Sequence, residues 1–491
     1  MPIIVTRFPP SPTGYLHVGG LRTALYNWLF ARKHGGKFVL RIEDTDRERL
    51  VPGAVEALIK TMAAVGLDYD EGPVLDASGK VVEKGQNGPY IQSERKAIHD
   101  DHARILVEKG VAYRCFCSKD RLDSLRKQQE LAKLTTKYDR HCLSLSKEEV
   151  EQKMSASEPF VIRLKIPEGT TVIDDAIRGR IEIDNREVDD QVLVKSDGFP
   201  TYHLANVVDD HMMGVTHVIR GEEWISSVPK HVMLYKAFGW TVPTFAHLPL
   251  ILNADRSKLS KRQGDVAVED YLAKGYLPQA LLNFVALIGF NPSGEQELYS
   301  IEELKAGFEL EKVNSSGGVF NPEKLDWMNG QYIRRKSPEE LMALCLPFLI
   351  AAGKGTDANT LLKICAVERN RLVTLAGIVD AVESFAKLPA YDPGMLVWKK
   401  ADQADALINL TAARTLIESL PESEFSSVAL IETAVKRYIA DKGLSNGNML
   451  WPMRVALSGR SASPSPFEYA WVLGKAETLQ RLKKAIDLLS A

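Results

Sequence analysis

Apolar and polar residues follow two different rhythms along this chain. In the first ninety residues short apolar runs alternate with longer stretches of helical period. "IIVTRF" reads as a buried strand, "GLRTALYNWLFARKHGG" as a helix closed by a glycine pair, and "KFVLRIEDTD" as a second strand. "VPGAVEALIKTMAAVG" supplies another helix. Strands alternating with helices predict a parallel sheet, and such sheets bind ligands at the carboxyl ends of their strands. The turn "PSPTG" and the acidic "EDTD" both fall at such ends, so they are expected to face one crevice.

From about Gln92 to Ala205 the pattern changes. A basic helical stretch is followed by the strand-like segments "FVIRLKIP", "TTVIDDAIRGRIEID" and "DDQVLVKSDGFPTYHLANVVDD", which predicts an α+β insertion. The α/β rhythm returns with "VTHVIRGEEW", the helix "VPKHVMLYKAFGW" and the strand "TFAHLPLIL", and ends in the polar loop "NADRSKLSKRQGD". Beyond about residue 270 helical periods dominate: "SPEELMALCLPFLIAAG", "RNRLVTLAGIVDAVESFAKLP", "TAARTLIESL", "SSVALIETAVKRYIADKG" and "TLQRLKKAIDLLS". Breaks bearing Gly and Pro separate them, so an all-helical C-terminal half is expected.

Size and composition narrow the class. A chain of 491 residues exceeds one ordinary core, so three or more domains are expected. Hydrophobic residues at 45% and charged residues at 26% are those of a soluble globular protein. The longest apolar run, "ALLNFVALIGF", falls well short of the about 20 residues that cross a bilayer, so no membrane partner is expected. "MPIIVTRF" lacks the basic and apolar regions of a signal peptide. Five cysteines, an odd number, suit a reducing compartment, and a cytoplasmic protein is expected. The net charge of −2 does not announce a polyanionic partner. The basic run from Arg121 to Arg140, taken alone, reads as a solvated helix face.

The chemistry begins at "PSPTGYLHVGG", a strand-to-helix turn that is neither a dinucleotide fingerprint nor a P-loop. A helix N-terminus offers unpaired N–H groups and a positive dipole end to phosphates. His17 stands where it can donate to a phosphate, and Gly19 and Gly20 allow a flat ring to lie against the backbone. Far along the chain, Lys258 and Lys261 in "KLSKR" can close over a triphosphate as point charges. Together, His-x-Gly-Gly early and Lys-Leu-Ser-Lys late resemble the two signatures of class I aminoacyl-tRNA synthetases. The resemblance narrows to the glutamyl-tRNA synthetases through "TRFPPSPTGYLHVGGLRTALYNWLFARKHGGKFVLRIEDTDRER", "PTYHLANVVDDHMMGVTHVIRGEEWISSVPKHVMLYKAFGW", "LSKRQGD" and "VFNPEKLDWMNGQYI". It continues, more loosely, through "MRVALSGRSASPSPFEYAWVLGKAETLQRL".

That resemblance implies an α/β fold: a Rossmann-like parallel-sheet catalytic domain split by an α+β insertion and followed by an all-helical C-terminal half. The implied segments are 1–91 and 206–265 for the catalytic domain, 92–205 for an acceptor-stem-binding insertion, 266–335 for a stem-contact domain and 336–491 for an anticodon-binding domain. The implied reaction activates L-glutamate with ATP and Mg²⁺, then transfers it to the 3′ end of tRNA(Glu). His17, Lys258 and Lys261 would act on the phosphates, with Pro10, Gly14, Gly19, Gly20 and Ser260 completing the ATP site. Glutamate-binding positions map onto Arg7, Ser11, Glu43, Tyr202 and Arg220, with Glu43 suited to the ammonium group and Arg220 to a bidentate grip on the side-chain carboxylate. Arg454 is an expected anticodon contact, as is Arg369 or Arg371, and "SPSPF" departs from the apolar residue some relatives carry there. A monomer is expected. The alternatives are an enzyme that also charges tRNA(Gln), and a non-catalytic tRNA-binding paralogue.

Cys115 and Cys117, in "CFC", and Cys142 stand at the spacing of zinc-containing relatives and would fill three corners of a tetrahedron. Where those relatives carry a histidine this chain has Ser144, so Tyr138 and His141 remain open as the fourth ligand of a structural zinc. The other reading is a family loop that has lost its metal.

Overall fold

In the computed structural model, which describes residues 3–259 and 267–490, the opening strand–helix–strand unit forms as the pattern predicts. The strand β1 (Val5–Phe8) is buried along its length, and its turn leads into the helix α1 (Val18–Lys33). The strand β2 (Lys37–Leu40) then lies parallel to β1, Val5 opposite Lys37 and Phe8 opposite Leu40. Leu21, Ala24, Leu25 and Leu29 of α1 are fully buried, the i, i+3, i+4 spacing that packs one helix face on a sheet. A second helix, α2 (Ala54–Ala64), follows.

The next segment starts with α3 (Lys96–Glu108), β3 (Ala112–Cys115) and α4 (Lys119–Leu131). Two further strands are β4 (Val161–Leu164) and β5 (Thr170–Asp175), and β6 (Gly179–Asp184) and β7 (Val192–Val194) complete the set. β3, β4 and β7 form an antiparallel sheet. The hairpin β5–β6 goes elsewhere, because Asp175 at the end of β5 pairs in parallel with Phe245. The helix α5 (Tyr202–Met212) leads to β8 (His217–Gly221), the crossover helix α6 (Val228–Phe238) and β9 (Thr244–Leu248). β8 and β9 are parallel, and the sheet runs β8–β9–β5–β6. Thr216 N donates to Val5 O at 2.9 Å, bringing the opening strand pair alongside the later parallel strands. Val5, Val39, Val218, Val232 and Phe245 share one apolar cluster beneath that seam.

One expectation fails here. "DDQVLVKSDGFPTYHLANVVDD" reads as strand-like, yet only its first part is strand; after a turn at Gly198 (φ +79°) the rest is α5. Leu204, Ala205, Val207 and Val208 are all fully buried, and the polar Asn206, Asp209 and Asp210 are buried too, so α5 is buried around most of its girth and its β-branched valines imitate a strand.

The chain divides into two compact units, Met1–Leu272 with Pro278–Pro322 and Ala273–Leu277 with Glu323–Ala491. The second unit is helical as expected, including Pro338–Ala351, Gln403–Ser419, Val428–Asp441 and Asn446–Ser458. Its last helix, Pro466–Ser490, is broken by Gly474 at φ +75°. "RNRLVTLAGIVDAVESFAKLP" is helical only over Ile378–Ala386, preceded by a single tight turn at Leu375–Gly377. Among the described residues no helix is long and apolar enough to cross a membrane.

Candidate active site

The turn between β1 and α1 is braced against the end of β2. Glu43 N donates to Pro10 O at 3.0 Å and Val51 N to Pro12 O at 3.1 Å, so "PSPTG" and "EDTD" do share an edge. His17 is the N-cap of α1: its Nδ1 accepts from Gly19 N at 2.9 Å. That bond puts the ring proton on Nε2. Gly14 takes φ +138°, a conformation open to glycine, and Ser11 is exposed. The two helix-opening glycines also make room within the turn. A Cβ on Gly20 would stand 2.9 Å from Leu16 Cδ1, and one on Gly19 would stand 3.2 Å from His17 Nδ1, so both positions admit the turn's own side chains. His17, Gly19, Gly20 and Lys258 line one cavity of about 180 Å³, together with Gly221 and Glu223. Lys258 is exposed on a loop stitched by Asn253, whose Nδ2 donates to Lys258 O at 3.3 Å. Ser260 and Lys261 lie outside the described residues.

Beside Gly221 the sheet carries a second, charged constellation. Tyr202, Asn206 and Asp210 recur at i, i+4 and i+8 on α5 and so share one face. Asp210 is the hub: Arg7 Nε donates to both of its oxygens at 3.2 Å, and Arg41 donates to Oδ1 at 2.7 Å. Arg41 also reaches Glu43 at 3.0 Å, and Asn206 Nδ2 donates to the same Glu43 oxygen at 3.2 Å. Arg7 and Arg41 are fully buried. Burial raises the Glu43 carboxyl above its ordinary range, against the pull of Arg41. One terminal nitrogen of Arg7 has no protein partner. A buried guanidinium N–H left in that state marks a place for an acceptor.

Arg220, on β8, is 4% exposed and is held differently. Its Nε donates to His247 Nε2 at 3.2 Å, and one terminal nitrogen meets Tyr202 Oη at 2.9 Å and His231 Nδ1 at 3.3 Å. The other terminal nitrogen donates to Trp224 O at 3.4 Å. These four bonds commit four of the five N–H donors of a guanidinium. A bidentate grip on a ligand carboxylate would exchange one of these bonds for a bond to the ligand. Tyr202 Oη is the acceptor in its bond with Arg220. The Tyr202 ring packs against Trp224 at 4.2 Å with the planes tilted by 36°, and burial raises its phenol above the ordinary value against the pull of Arg220.

The cysteine knuckle assembles as its spacing suggested. The sulfurs of Cys115, Cys117 and Cys142 all lie within 4.8 Å of one another. Tyr138 Oη stands 3.3 Å from both Cys115 and Cys117 and accepts from Cys142 N at 2.9 Å. The Arg163 guanidinium covers the Tyr138 ring at 4.1 Å. Burial pushes the Cys117 thiol up to about 11. At Cys115 burial acts the same way, but the bond to Tyr138 and the neighbouring Arg163 outweigh it and the thiol sits below its ordinary value. His141 is exposed, its backbone N bonded to Asp139 at 3.3 Å, and Ser144 bonds back to His141 O.

In the second unit a cavity of about 560 Å³ is bordered by Arg371, Arg460, Glu368, Ser463, Pro464 and Tyr469. Arg371 also reaches Glu468 at 3.2 Å. Arg369 is turned to Lys336 O, and Arg454 sits on the helix Asn446–Ser458 away from that cavity's lining.

Reading the sequence missed Arg41, Asn206, Asp210, Trp224, His231 and His247. Two of them carried a usable signal: once "TYHLANVVDD" is given a helical period, Asn206 and Asp210 fall directly above Tyr202.

Comparison with known proteins agrees with this geometry. A family model described as "tRNA synthetases class I (E and Q), catalytic domain" matches residues 3–327, and one described as "Anticodon binding domain" matches residues 340–486. The glutamate–tRNA ligase of Clostridium acetobutylicum is 47% identical over 489 residues, covering 99% of each chain. That of Clostridium botulinum Eklund 17B is 48% identical over 491 residues, again covering 99% of each. A crystal structure of a glutamate tRNA ligase from Elizabethkingia meningosepticum in complex with its amino acid superposes with a TM-score of 0.88 at 35% identity, covering 99% of both chains. A glutamate-tRNA synthetase from Elizabethkingia anophelis superposes at 0.87 and 34% identity, covering 99% of this chain and 100% of the other. With its catalytic motif, anticodon-domain match and full-length relatives in agreement, this chain belongs to the class I tRNA synthetases, among the glutamate–tRNA ligases.

Proposed function

We propose that the His17 cavity holds ATP, with Mg²⁺ accompanying its phosphates, and that the adjoining arginine pocket holds L-glutamate, so that the chain makes glutamyl-adenylate and charges tRNA(Glu). The observation that carries this is the single face of α5, where Tyr202, Asn206 and Asp210 gather Arg220, Glu43, Arg7 and Arg41 beside the strand end that borders the His17 cavity.

Each group has work that its surroundings suit. The unpartnered nitrogen of Arg7 faces the α-carboxylate and Glu43 the α-ammonium, while Arg220 and Tyr202 take the side-chain carboxylate. The α-carboxylate is already an anion at neutral pH, so no general base is required. Its oxygen attacks the α-phosphorus of ATP, the bond to the bridging oxygen breaks, and pyrophosphate leaves. The ribose hydroxyl at the 3′ end of tRNA then attacks the acyl carbon and AMP leaves. The protein's part is alignment and electrostatic stabilisation of the phosphate oxygens. His17 Nε2–H, the N-terminus of α1, Lys258 and Lys261 are the groups for it, and removing one such donor typically costs ~3 kcal/mol.

The insertion at 92–205 would take the acceptor stem and residues 266–335 further stem contacts, with 336–491 reading the anticodon. Arg371 and Arg460 suit that last task through their shared cavity; Arg454 would contact the anticodon from outside its lining. Three thiolates and the Tyr138 phenol form a donor set that fits one tetrahedral zinc, which would clamp the knuckle without chemical duty. The protein is read as a cytoplasmic monomer.

Charging assays with the purified chain test the proposal. Glutamate is expected to be attached to tRNA(Glu) and glutamine to neither tRNA(Glu) nor tRNA(Gln). Attachment of glutamine without glutamate would overturn it, and charging of tRNA(Gln) with glutamate would make the enzyme non-discriminating.

A further inference from the structure

Three arginines surround the pocket, and they are held in two distinct ways. Arg7 and Arg41 rest on carboxylates, Asp210 and Glu43. Arg220 rests on lone pairs alone: His247 Nε2, His231 Nδ1, Tyr202 Oη and Trp224 O. Among the described residues no carboxylate hydrogen-bonds Arg220.

The histidines can do this only in one proton arrangement, and the fold dictates it. His247 Nδ1 lies 2.6 Å from Asp175 Oδ2, and the His247 backbone N donates to the same carboxylate at 3.2 Å. An ionised Asp175 requires a proton on Nδ1, which leaves Nε2 as the acceptor for Arg220. His231 Nε2 meets His203 Nδ1 at 3.3 Å, leaving His231 Nδ1 to accept from Arg220. A second proton on either ring would set N–H against N–H. Burial, and then the charge of Arg220, holds His231 well below its ordinary value. Burial lowers His247 as well, with Arg220 assisting and Asp175 opposing. Asp175, the buried anion, belongs to the hairpin β5–β6 and meets the imidazole instead of the guanidinium.

We propose that His247, fixed by Asp175, and His231 are positioning residues that fasten Arg220 through ring lone pairs without giving it an anionic partner, so that the substrate's side-chain carboxylate becomes its counter-ion. This rests on the reading that Arg220 faces that carboxylate. It gives glutamate-over-glutamine selectivity a structural cause: an amide of the same shape leaves the guanidinium charge unmatched in a desolvated pocket.

The test uses the full chain with ATP and tRNA(Glu), measuring KM for glutamate, KM for ATP, kcat and the glutamate-to-glutamine preference. His247→Gln keeps a neutral acceptor and should stay within about fivefold of wild type in glutamate KM. His247→Glu hands Arg220 an internal carboxylate. It should raise glutamate KM by about 50-fold or more, leave ATP KM within about twofold and narrow the preference over glutamine at least about tenfold. A residue that merely fills space would not separate the two variants, so glutamate KM values within threefold of each other would overturn the inference. Should His247→Glu fail to fold, Asp175→Asn decides: it frees the tautomer and should raise glutamate KM about tenfold at unchanged ATP KM, and an unchanged glutamate KM overturns the inference. Arg220→Ala separates the two levels. If it leaves glutamate KM unchanged, the assignment of Arg220 fails and this inference with it; if it raises KM while the histidine and aspartate variants do not, the inference alone fails.

Discussion

Asp209 and Asp210 are neighbours on α5, equally buried, yet face different partners, which makes them a matched pair for experiment. Asp210 joins Arg7 and Arg41 at 2.7–3.2 Å in the pocket proposed for glutamate. Asp209 binds Arg95 at 2.6 Å, with His99 and Gln92 each at 2.8 Å, and so ties α5 to α3 and the short turn before it. Their side chains are 0% and 1% exposed, respectively, so burial is common to both. Replacing either by asparagine preserves shape but removes the anion and presents an amide N–H to a guanidinium. Removing one partner of a buried ion pair costs about 3–5 kcal/mol. Because asparagine still accepts one bond, about 3 kcal/mol is the reasonable expectation for each. At that size both variants should melt about 5 °C or more below wild type. Only Asp210→Asn should also disturb substrate: Arg7 loses its anchor and Arg41 leans harder on Glu43, the group left for the ammonium. If half of the loss is felt in binding, glutamate KM rises about tenfold, since ~1.4 kcal/mol is a factor of ten. Steady-state charging and thermal unfolding on the same preparations measure both effects. Equal glutamate KM values for the two variants, or a wild-type melting point for Asp210→Asn, would refute the reasoning.

Asp209 also fixes a pH dependence. Burial opposes its ionisation, but His99, Arg41 and Arg95 outweigh it and hold the carboxyl at about 2, below its usual value of 3.8. A depressed carboxyl stabilises the fold above its unfolded pKa and loses that contribution as the pH falls through its folded value. The stability gap between wild type and Asp209→Asn should therefore narrow from pH 5 toward pH 2, and a gap independent of pH would contradict this. In the knuckle, Tyr138→Phe should lower bound zinc or weaken it about tenfold or more, while His141→Ala leaves it unchanged; metal analysis and chelator competition give the answer. Among glycines, a Cβ on Gly36 would stand 2.2 Å from Ile4 O, a backbone atom, whereas one on Gly20 crowds the flexible end of Leu16 at 2.9 Å and reaches Phe8 only at an ordinary 3.7 Å. Gly36→Ala should lower the melting point well below that of Gly20→Ala, whose cost is about 1–3 kcal/mol.

Local signals carried the parts of this protein that are local. The β1–α1–β2 unit, the His17 turn and the helices of the second unit were legible from periodicity and end signals, because their stabilising contacts lie within one turn or one crossover. α5 was not, since burial on most sides erases the amphipathic period and leaves a valine-rich run. Losing that helix also hid Asn206 and Asp210. The partnership of His247 with Asp175 spans a parallel strand pairing between β5 and β9, for which no sequence neighbourhood offers a trace. At Gly19 and Gly20 the missing Cβ atoms also make room for the His17 ring and Leu16, a packing that the turn's sequence did not show. The expectation that Arg220 binds a carboxylate carried no trace of the protein partners on which four of its N–H donors rest.

The chain's most exposed commitment concerns where one carboxylate goes, and a crystal structure of the protein with L-glutamate bound answers it in one experiment. The side-chain carboxylate is expected within hydrogen-bond distance of Arg220 and the Tyr202 hydroxyl, with the ammonium group on Glu43. Electron density placing the γ-carboxylate on Arg7, or the amino acid outside the face formed by Tyr202, Asn206 and Asp210, would contradict it.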